Sequence, residues 1–212
     1  MSKPAGVQLR RWFTYMVALL LFANLAAVTG GVLTYTSVHS VTDRYQPFAA
    51  AASASERFTL QAQRDMYEYL SELSDSNEIA LKRIGQLLDS LDKAKLSAPN
   101  AEKENAVAEI KTLVERYRLA VEELPKALKG SRDWSRVEEI RRAAIQFGGE
   151  VVKRTGDLAA WSQDEIRYRN QTLAMLTTGA MVTFFVVLML SVVVLLALRH
   201  WWTRFQDMLL GI

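Results

Sequence analysis

The chain has no cysteine, which removes disulfides, thiolate nucleophiles, iron–sulfur clusters and covalently attached haem from consideration. Histidine is nearly absent too. His39 and His200 stand at the edges of two long apolar runs, on opposite sides of the layer those runs would cross, so they cannot share a metal. There is no HExxH, no phosphate-binding glycine loop, no dinucleotide fingerprint and no Glu-x-x-His pair of a di-iron bundle. These absences leave no catalytic residue, metal set or cofactor to name. Haem ligation by His39 alone competes poorly with a plain polar residue at an interface. No basic stripe or recognition motif points to nucleic acid. Sustained alternation of period two is missing, so no strand is expected.

What the chain does contain is two charge-free apolar runs, Trp12–Val38 and Leu173–Leu198. Each exceeds the roughly 20 residues needed to cross a hydrocarbon layer. Lys3, Arg10 and Arg11 precede the first run with no acid among them, and Arg199 and Arg204 follow the second, opposed only by Asp207. Positive charge beside a span marks the inner side, so both termini are expected to be cytoplasmic. The expected division is a tail at 1–11, a span at 12–38, an outer segment at 39–171, a span at 172–198 and a tail at 199–212. A cleaved signal peptide is the competing reading of the first run, given its basic start and the small residues Ala23–Ala27. The run continues to Val38, longer than a signal core. Trp12, Tyr15, Tyr35, Trp201 and Trp202 stand where rings meet lipid headgroups. Ala26 with Gly30, and Ala27 with Gly31, make small-xxx-small pairs that allow close helix packing.

The middle segment reads as helix. No proline or glycine lies between Phe48 and Ile84. Phe58, Ala62, Met66, Leu70 and Leu73 recur at helical spacing, followed by Leu81, Ile84, Leu88 and Leu91. Ser97–Asn100 is a break. A further run carries Val107, Ile110, Leu113, Val114, Tyr117, Val121 and Leu124, with Pro125 and Gly130 expected to end or kink it. The last carries Trp134, Val137, Ile140, Ala144, Phe147, Val151 and Leu158, and continues through Trp161 and Ile166 into the second span. A chain that leaves the membrane and returns needs an even number of passes. Ser74-Asp75-Ser76-Asn77, rich in capping and turn residues, supplies the extra turn. The expected fold is therefore all-α: two transmembrane helices continuous with an antiparallel four-helix bundle, its passes at Thr42–Leu73, Asn77–Leu96, Ala101–Lys129 and Ser131–Asn170. The alternative is a long two-helix hairpin, with one unbroken helix from Thr42 to Leu96 reaching roughly 80 Å from the membrane. Such a hairpin would have to dimerise.

This plan, with Gln63-Arg64-Asp65-Met66-Tyr67-Glu68-Tyr69-Leu70 on the first outer helix and Val114-Glu115-Arg116-Tyr117 on the third, resembles the amino-terminal sensory half of bacterial methyl-accepting chemotaxis receptors and related sensor kinases. The resemblance spans about Arg10 to Arg199. It implies a bacterial inner-membrane protein with a periplasmic helical bundle, a homodimer, and a transmembrane sensor that relays an outside signal by helix displacement. It also implies a downstream HAMP linker. Arg199–Leu210 lacks the proline that usually opens one, and no ATP site, methylation helix or receiver occurs in the 212 residues. The chain is expected to be either a fragment or a stand-alone protein.

Candidate binding residues follow. Arg57 and Arg64 are seven apart on one helix face, and guanidinium forks suit a small anionic ligand. Glu56, Asp65 and Glu68 lie close enough to make the same face an ordinary salt-bridged surface. Tyr67, Tyr69, Tyr117, Trp134 and Trp161 can line a pocket or fill a core. Trp201, Trp202, Phe205, Met208, Leu209 and Leu210, with Arg199 and Arg204, make an amphipathic stretch suited to the inner leaflet. The first functional reading is a non-enzymatic sensor module whose partners are lipid, a second copy or another membrane protein, and a small anion. The second is a structural or accessory subunit of a membrane complex, acting through helix–helix contacts.

Overall fold

The computed structural model describes residues 5–71, 76–130 and 134–210, with side chains over 14–71, 76–128 and 134–204. Lys3, Leu73, Ser74, Asp75 and Ser131 lie outside the described residues, as do the side chains of Arg10, Arg11, Trp12, Phe205, Asp207, Met208, Leu209 and Leu210. Among the described residues every regular element is helical: α1 (Ala5–Ser40), α2 (Gln46–Leu70), α3 (Glu78–Leu96), α4 (Ala101–Gly130) and α5 (Trp134–Leu210), with a π-helical turn, Val41–Tyr45, between α1 and α2. The unbroken helix from Thr42 to Leu96 does not form. At Ser71 the hydroxyl bonds back to the Tyr67 carbonyl at 2.9 Å, and α3 opens only at Glu78, whose N–H meets Ser76 Oγ at 3.1 Å. Short hydroxyl side chains that bind nearby backbone offer it an alternative to continued helix.

The chain divides into two compact units, His39–Arg169 and a second made of Met1–Val38 with Asn170–Ile212. In the His39–Arg169 unit, one core gathers Phe48, Ala62 and Met66 of α2, Ile84, Leu87 and Leu91 of α3, Val107, Val114, Tyr117 and Val121 of α4, and Ala144, Val151 and Leu158 of α5. With no disulfide available, this burial has to carry stability, at roughly 1.5–3 kcal/mol for each large side chain. Trp134, placed on the apolar stripe by its spacing, is 75% exposed instead.

Two of the four prolines show how the helices accommodate them, Pro125 through a substitute donor and Pro47 through a wider turn. Pro125 lies inside α4 without ending it. A proline at this position leaves the carbonyl four residues earlier, that of Val121, without its helical donor. Asn77 Nδ2 donates to that oxygen at 2.7 Å from the start of α3, and Asn77 is buried. Asn77 therefore makes no side-chain cap on its own helix. Asn100 does cap: its Oδ1 accepts from the Lys103 N–H at 2.9 Å. Pro47 follows the π-helical turn, whose closing bond runs from the Gln46 N–H to the Val41 carbonyl. The wider turn relieves the clash between the proline ring and the carbonyl of Asp43.

The contacts between α2 and α5 have small residues on both sides. Ala52, Ser55 and Thr59 on one helix and Thr155, Ala159 and Ser162 on the other are all buried. The hydroxyl oxygens of Thr59 and Thr155 lie 3.4 Å apart, each also bonded within its own helix at 2.8 Å. A Cβ at Gly156 would come within 3.6 Å of Glu56 Oε1. Gln163 Nε2 donates to Ser53 Oγ at 3.4 Å, and the Phe48 and Trp161 rings meet edge to face at 6.0 Å.

The second unit holds the two apolar runs. Thr14–Leu70 and Trp134–Arg204 each include a window long and apolar enough to cross a membrane, and none of either window is buried. The partly covered residues recur at alternating spacings of three and four: Met16, Leu20, Ala23, Ala27, Gly30 and Thr34 on α1, and Leu173, Leu176, Ala180, Thr183, Val187 and Leu190 on α5. A Cβ at Gly30 would sit 3.9 Å from that of Ala180. Of the small residues singled out by spacing, Ala27 and Gly30 lie on this seam, whereas Ala26 and Gly31 are exposed. Gly30→Leu is therefore expected to part the two runs and Gly31→Leu to leave them packed, which disulfide trapping between cysteines introduced at Ala27 and Thr183 would report. Hydroxyls in the runs are satisfied locally: Thr29, Thr34, Thr177, Thr178, Thr183 and Ser191 each donate to a carbonyl one turn back. Polar groups in lipid require such internal partners.

Candidate functional site

α4 and α5 enclose a cleft of about 450 Å³. That falls within the range of small-molecule sites. Two contacts set the register of its walls. Lys103 Nζ lies 4.2 Å from the centre of the Trp161 ring, and a Cβ at Gly148 would lie 3.1 Å from the Tyr117 ring. As residue number rises along α4 it falls along α5, so the walls run antiparallel. Ile110 and Leu158 form a nearly buried apolar floor, continued by Ala106 and Leu113.

The rim is charged in both signs. Lys103 and Arg116 face it from α4 and Arg154 from α5, while Glu109, Glu150 and Asp157 bring carboxylates. Lys103 is ion-paired to Glu102 at 3.0 Å and is mostly covered by the indole. None of Arg116, Arg154, Glu109, Glu150 and Asp157 takes part in an ion pair among the described residues. Elsewhere on the same helices the charges do pair, as Arg118 with Glu115 at 2.9 Å and Arg142 with Glu138 at 3.3 Å. The smaller hollow between α3 and α4, about 300 Å³, differs in this respect, because Lys111 Nζ and Asp92 Oδ1 close across it at 2.6 Å.

The residues singled out from the sequence lie elsewhere. Arg57 is exposed, its guanidinium carbon 5.2 Å from the centre of the neighbouring Phe58 ring. Arg64 is also exposed and bonds Glu68 at 2.8 Å. That hydrogen bond and the Glu68 charge hold the guanidinium pKa above its ordinary value. Tyr67 is 45% exposed. Tyr117 is wholly buried, its hydroxyl 3.5 Å from both the Ala62 carbonyl and Met66 Sδ. Burial pushes the Tyr117 phenol pKa far above its ordinary value, with the charges of Tyr67 and Asp65 adding to it. None of these four lines the cleft. Of the aromatic residues considered for a pocket, Trp161 alone does so.

At the end of the His39–Arg169 unit nearest its chain boundaries, the Arg169 guanidinium lies 3.8 Å from the centre of the Tyr45 ring and bonds Glu165 at 2.7 Å. His39 Nδ1 and Asp43 Oδ2 are 3.0 Å apart. No cluster of three or more metal-binding side chains occurs among the described residues. Comparison with protein-family models, with characterised proteins and with solved structures returned no match for this chain.

Proposed function

We propose that this chain is a two-pass membrane sensor module without enzymatic activity. On this reading α1 and the end of α5 cross a bacterial inner membrane, both termini are cytoplasmic, and α2, α3, α4 and the first half of α5 form an antiparallel four-helix bundle in the periplasm. A second copy completes the unit, as the resemblance to chemotaxis receptors implies. One observation carries the proposal: the helix that forms one wall of the cleft, from Glu150 to Trp161, is the helix that contains the second apolar run. An event in the cleft then acts directly on a membrane-crossing rod.

The α2–α5 contact supports the same reading. Small side chains such as Ala52, Ser55, Thr155 and Ala159 interlock less deeply than leucines, so a shift of α5 along α2 is resisted mainly where the Phe48 and Trp161 rings meet. Shifts of about 1–2 Å are typical of signalling helices. Trp161 links the two parts, since Lys103 lies over its ring in the cleft and it packs at right angles to Phe48 on α2.

The lack of native cysteine makes both halves of this proposal easy to test. Glu102→Cys is expected to react with a membrane-impermeant maleimide in intact cells, and Thr203→Cys only after permeabilisation. The opposite pattern sinks the topology. A Ser53→Cys/Gln163→Cys pair reports the α2–α5 register through its rate of disulfide formation. Adding Lys103→Ala, which uncovers Trp161, is expected to change that rate several-fold. An unchanged rate overturns the relay while leaving the topology intact.

A further inference from the structure

We infer that the α4–α5 cleft takes a small dipolar molecule, one carrying a carboxylate-like anion and an ammonium-like cation on a short apolar body. The inference rests on the sensory reading above and names the chemistry its input would have. The composition of the rim excludes the simpler classes. A pure anion drawn to Arg116 and Arg154 would meet Glu109, Glu150 and Asp157, and a pure cation drawn to those acids would meet the arginines. An uncharged apolar guest would cover unpaired charges and desolvate them without compensation. A molecule with both signs satisfies both sets, while its body covers Ile110, Leu113 and Leu158.

The ends of the molecule can be assigned. Trp161 already holds an ammonium, that of Lys103, against its ring at 4.2 Å, and ring faces favour cations. The cationic end therefore belongs at Trp161 and Asp157, displacing Lys103. The anionic end belongs at Arg154, whose guanidinium has no ion-pair partner among the described residues and can grip a carboxylate through two N–H groups. Along α5, Arg154 is three residues from Asp157 and seven from Trp161. At 1.5 Å per residue the two charges of the ligand should be separated by roughly 5–10 Å. This spacing selects an ω-amino acid of medium length over a compact anion.

Three probes of the same length isolate the claim: 6-aminohexanoate with both charges, adipate with two anions and 1,6-diaminohexane with two cations. They would be titrated by calorimetry into the purified full chain in lipid nanodiscs. 6-Aminohexanoate is expected to bind about tenfold more tightly than either of the others, one decade in Kd corresponding to about 1.4 kcal/mol. Arg154→Gln and Asp157→Asn are each expected to weaken it by about tenfold as well, the loss of one charge-assisted contact. Both side chains are exposed, so neither change threatens folding. Arg64→Gln, away from the cleft, should bind as the parent does. Adipate or the diamine binding as well as 6-aminohexanoate, no heat from any probe, or an equal loss in Arg64→Gln would overturn the inference. Because this titration is blind to orientation and the maleimide labelling is blind to ligand, failure of one is distinguishable from failure of the other.

Discussion

Truncating Tyr117 to alanine is expected to lower the stability of the His39–Arg169 unit by about 3–5 kcal/mol, the usual cost of deleting a fully buried ring. Tyr117 is among the largest wholly buried side chains and sits at the centre of the core shared by all four helices of that unit. The ring lies close against residue 148, which has no side chain. A Cβ there would stand 3.1 and 3.3 Å from two ring carbons. Gly148→Val should therefore cost about 1–3 kcal/mol through overpacking against the buried ring. The decisive result is the combination. With Tyr117 truncated, the valine fills vacated space, and the double variant should be more stable than the sum of the two losses predicts. Urea denaturation of the full chain in detergent, followed by hydrogen exchange in α4, gives the three values, and strict additivity would show that the contact does not govern packing there.

The same residue gives the core a sensitivity to alkali. The folded-state pKa of Tyr117 lies above its unfolded value because burial disfavours the phenolate. Below pH about 10 the phenol is protonated in both states and has no effect on the balance. Above that, the unfolded chain releases the proton while the folded chain holds it, so stability falls as pH rises. Tyr117→Phe removes this contribution and should flatten the alkaline limb of the stability profile.

The second large effect is expected at Asn77. Asn77→Leu should destabilise the unit by about 1–3 kcal/mol, because the Val121 carbonyl would then be buried with neither its helical donor nor its replacement. Pro125→Ala alone restores a backbone N–H to α4 and should be neutral or stabilising. In the Pro125→Ala background, Asn77→Leu should lose most of its cost. A full penalty in both backgrounds, measured by the same denaturation experiment, would falsify the account of Asn77 as a donor standing in for the missing amide.

These two sites mark where reading along the chain stops. The periodicity of Ala62, Met66, Ile84, Leu91, Val114, Val121, Val151 and Leu158 is visible in the sequence, and all are buried. Ser71 and Ser97, whose hydroxyls bond back to carbonyls at 2.9 and 2.8 Å, close α2 and α3 as short polar side chains do at helix ends. Pro125 carries the ordinary expectation of a helix end, and α4 nonetheless runs on to Gly130. The reason is a donor 44 positions away. Asn77 likewise carries the residue type of a cap, yet its amide crosses to another helix. Tyr117 and Arg64 both suited a binding site by residue type. Burial made the first a core residue, and Glu68, one turn along, pairs the second.

The cleft was the least legible part. Glu109 and Arg116 on α4, and Glu150, Arg154 and Asp157 on α5, read singly as solvated charges on amphipathic helices. Of the cleft's residues, Arg116 entered the sequence reading only as part of a loose family pattern, and Trp161 as one of five aromatic residues that could line a pocket or fill a core. What the amino-acid order alone determined is the helical character of the chain, the two charge-free runs and the apolar stripe of each segment, because hydrophobic period and local backbone bonding are properties of neighbours. Tertiary structure decided which carbonyl Asn77 serves, which glycine makes room for Tyr117 and which charges border a common cavity. Those outcomes depend on the register of antiparallel helices, which joins residues tens of positions apart and leaves no periodic trace.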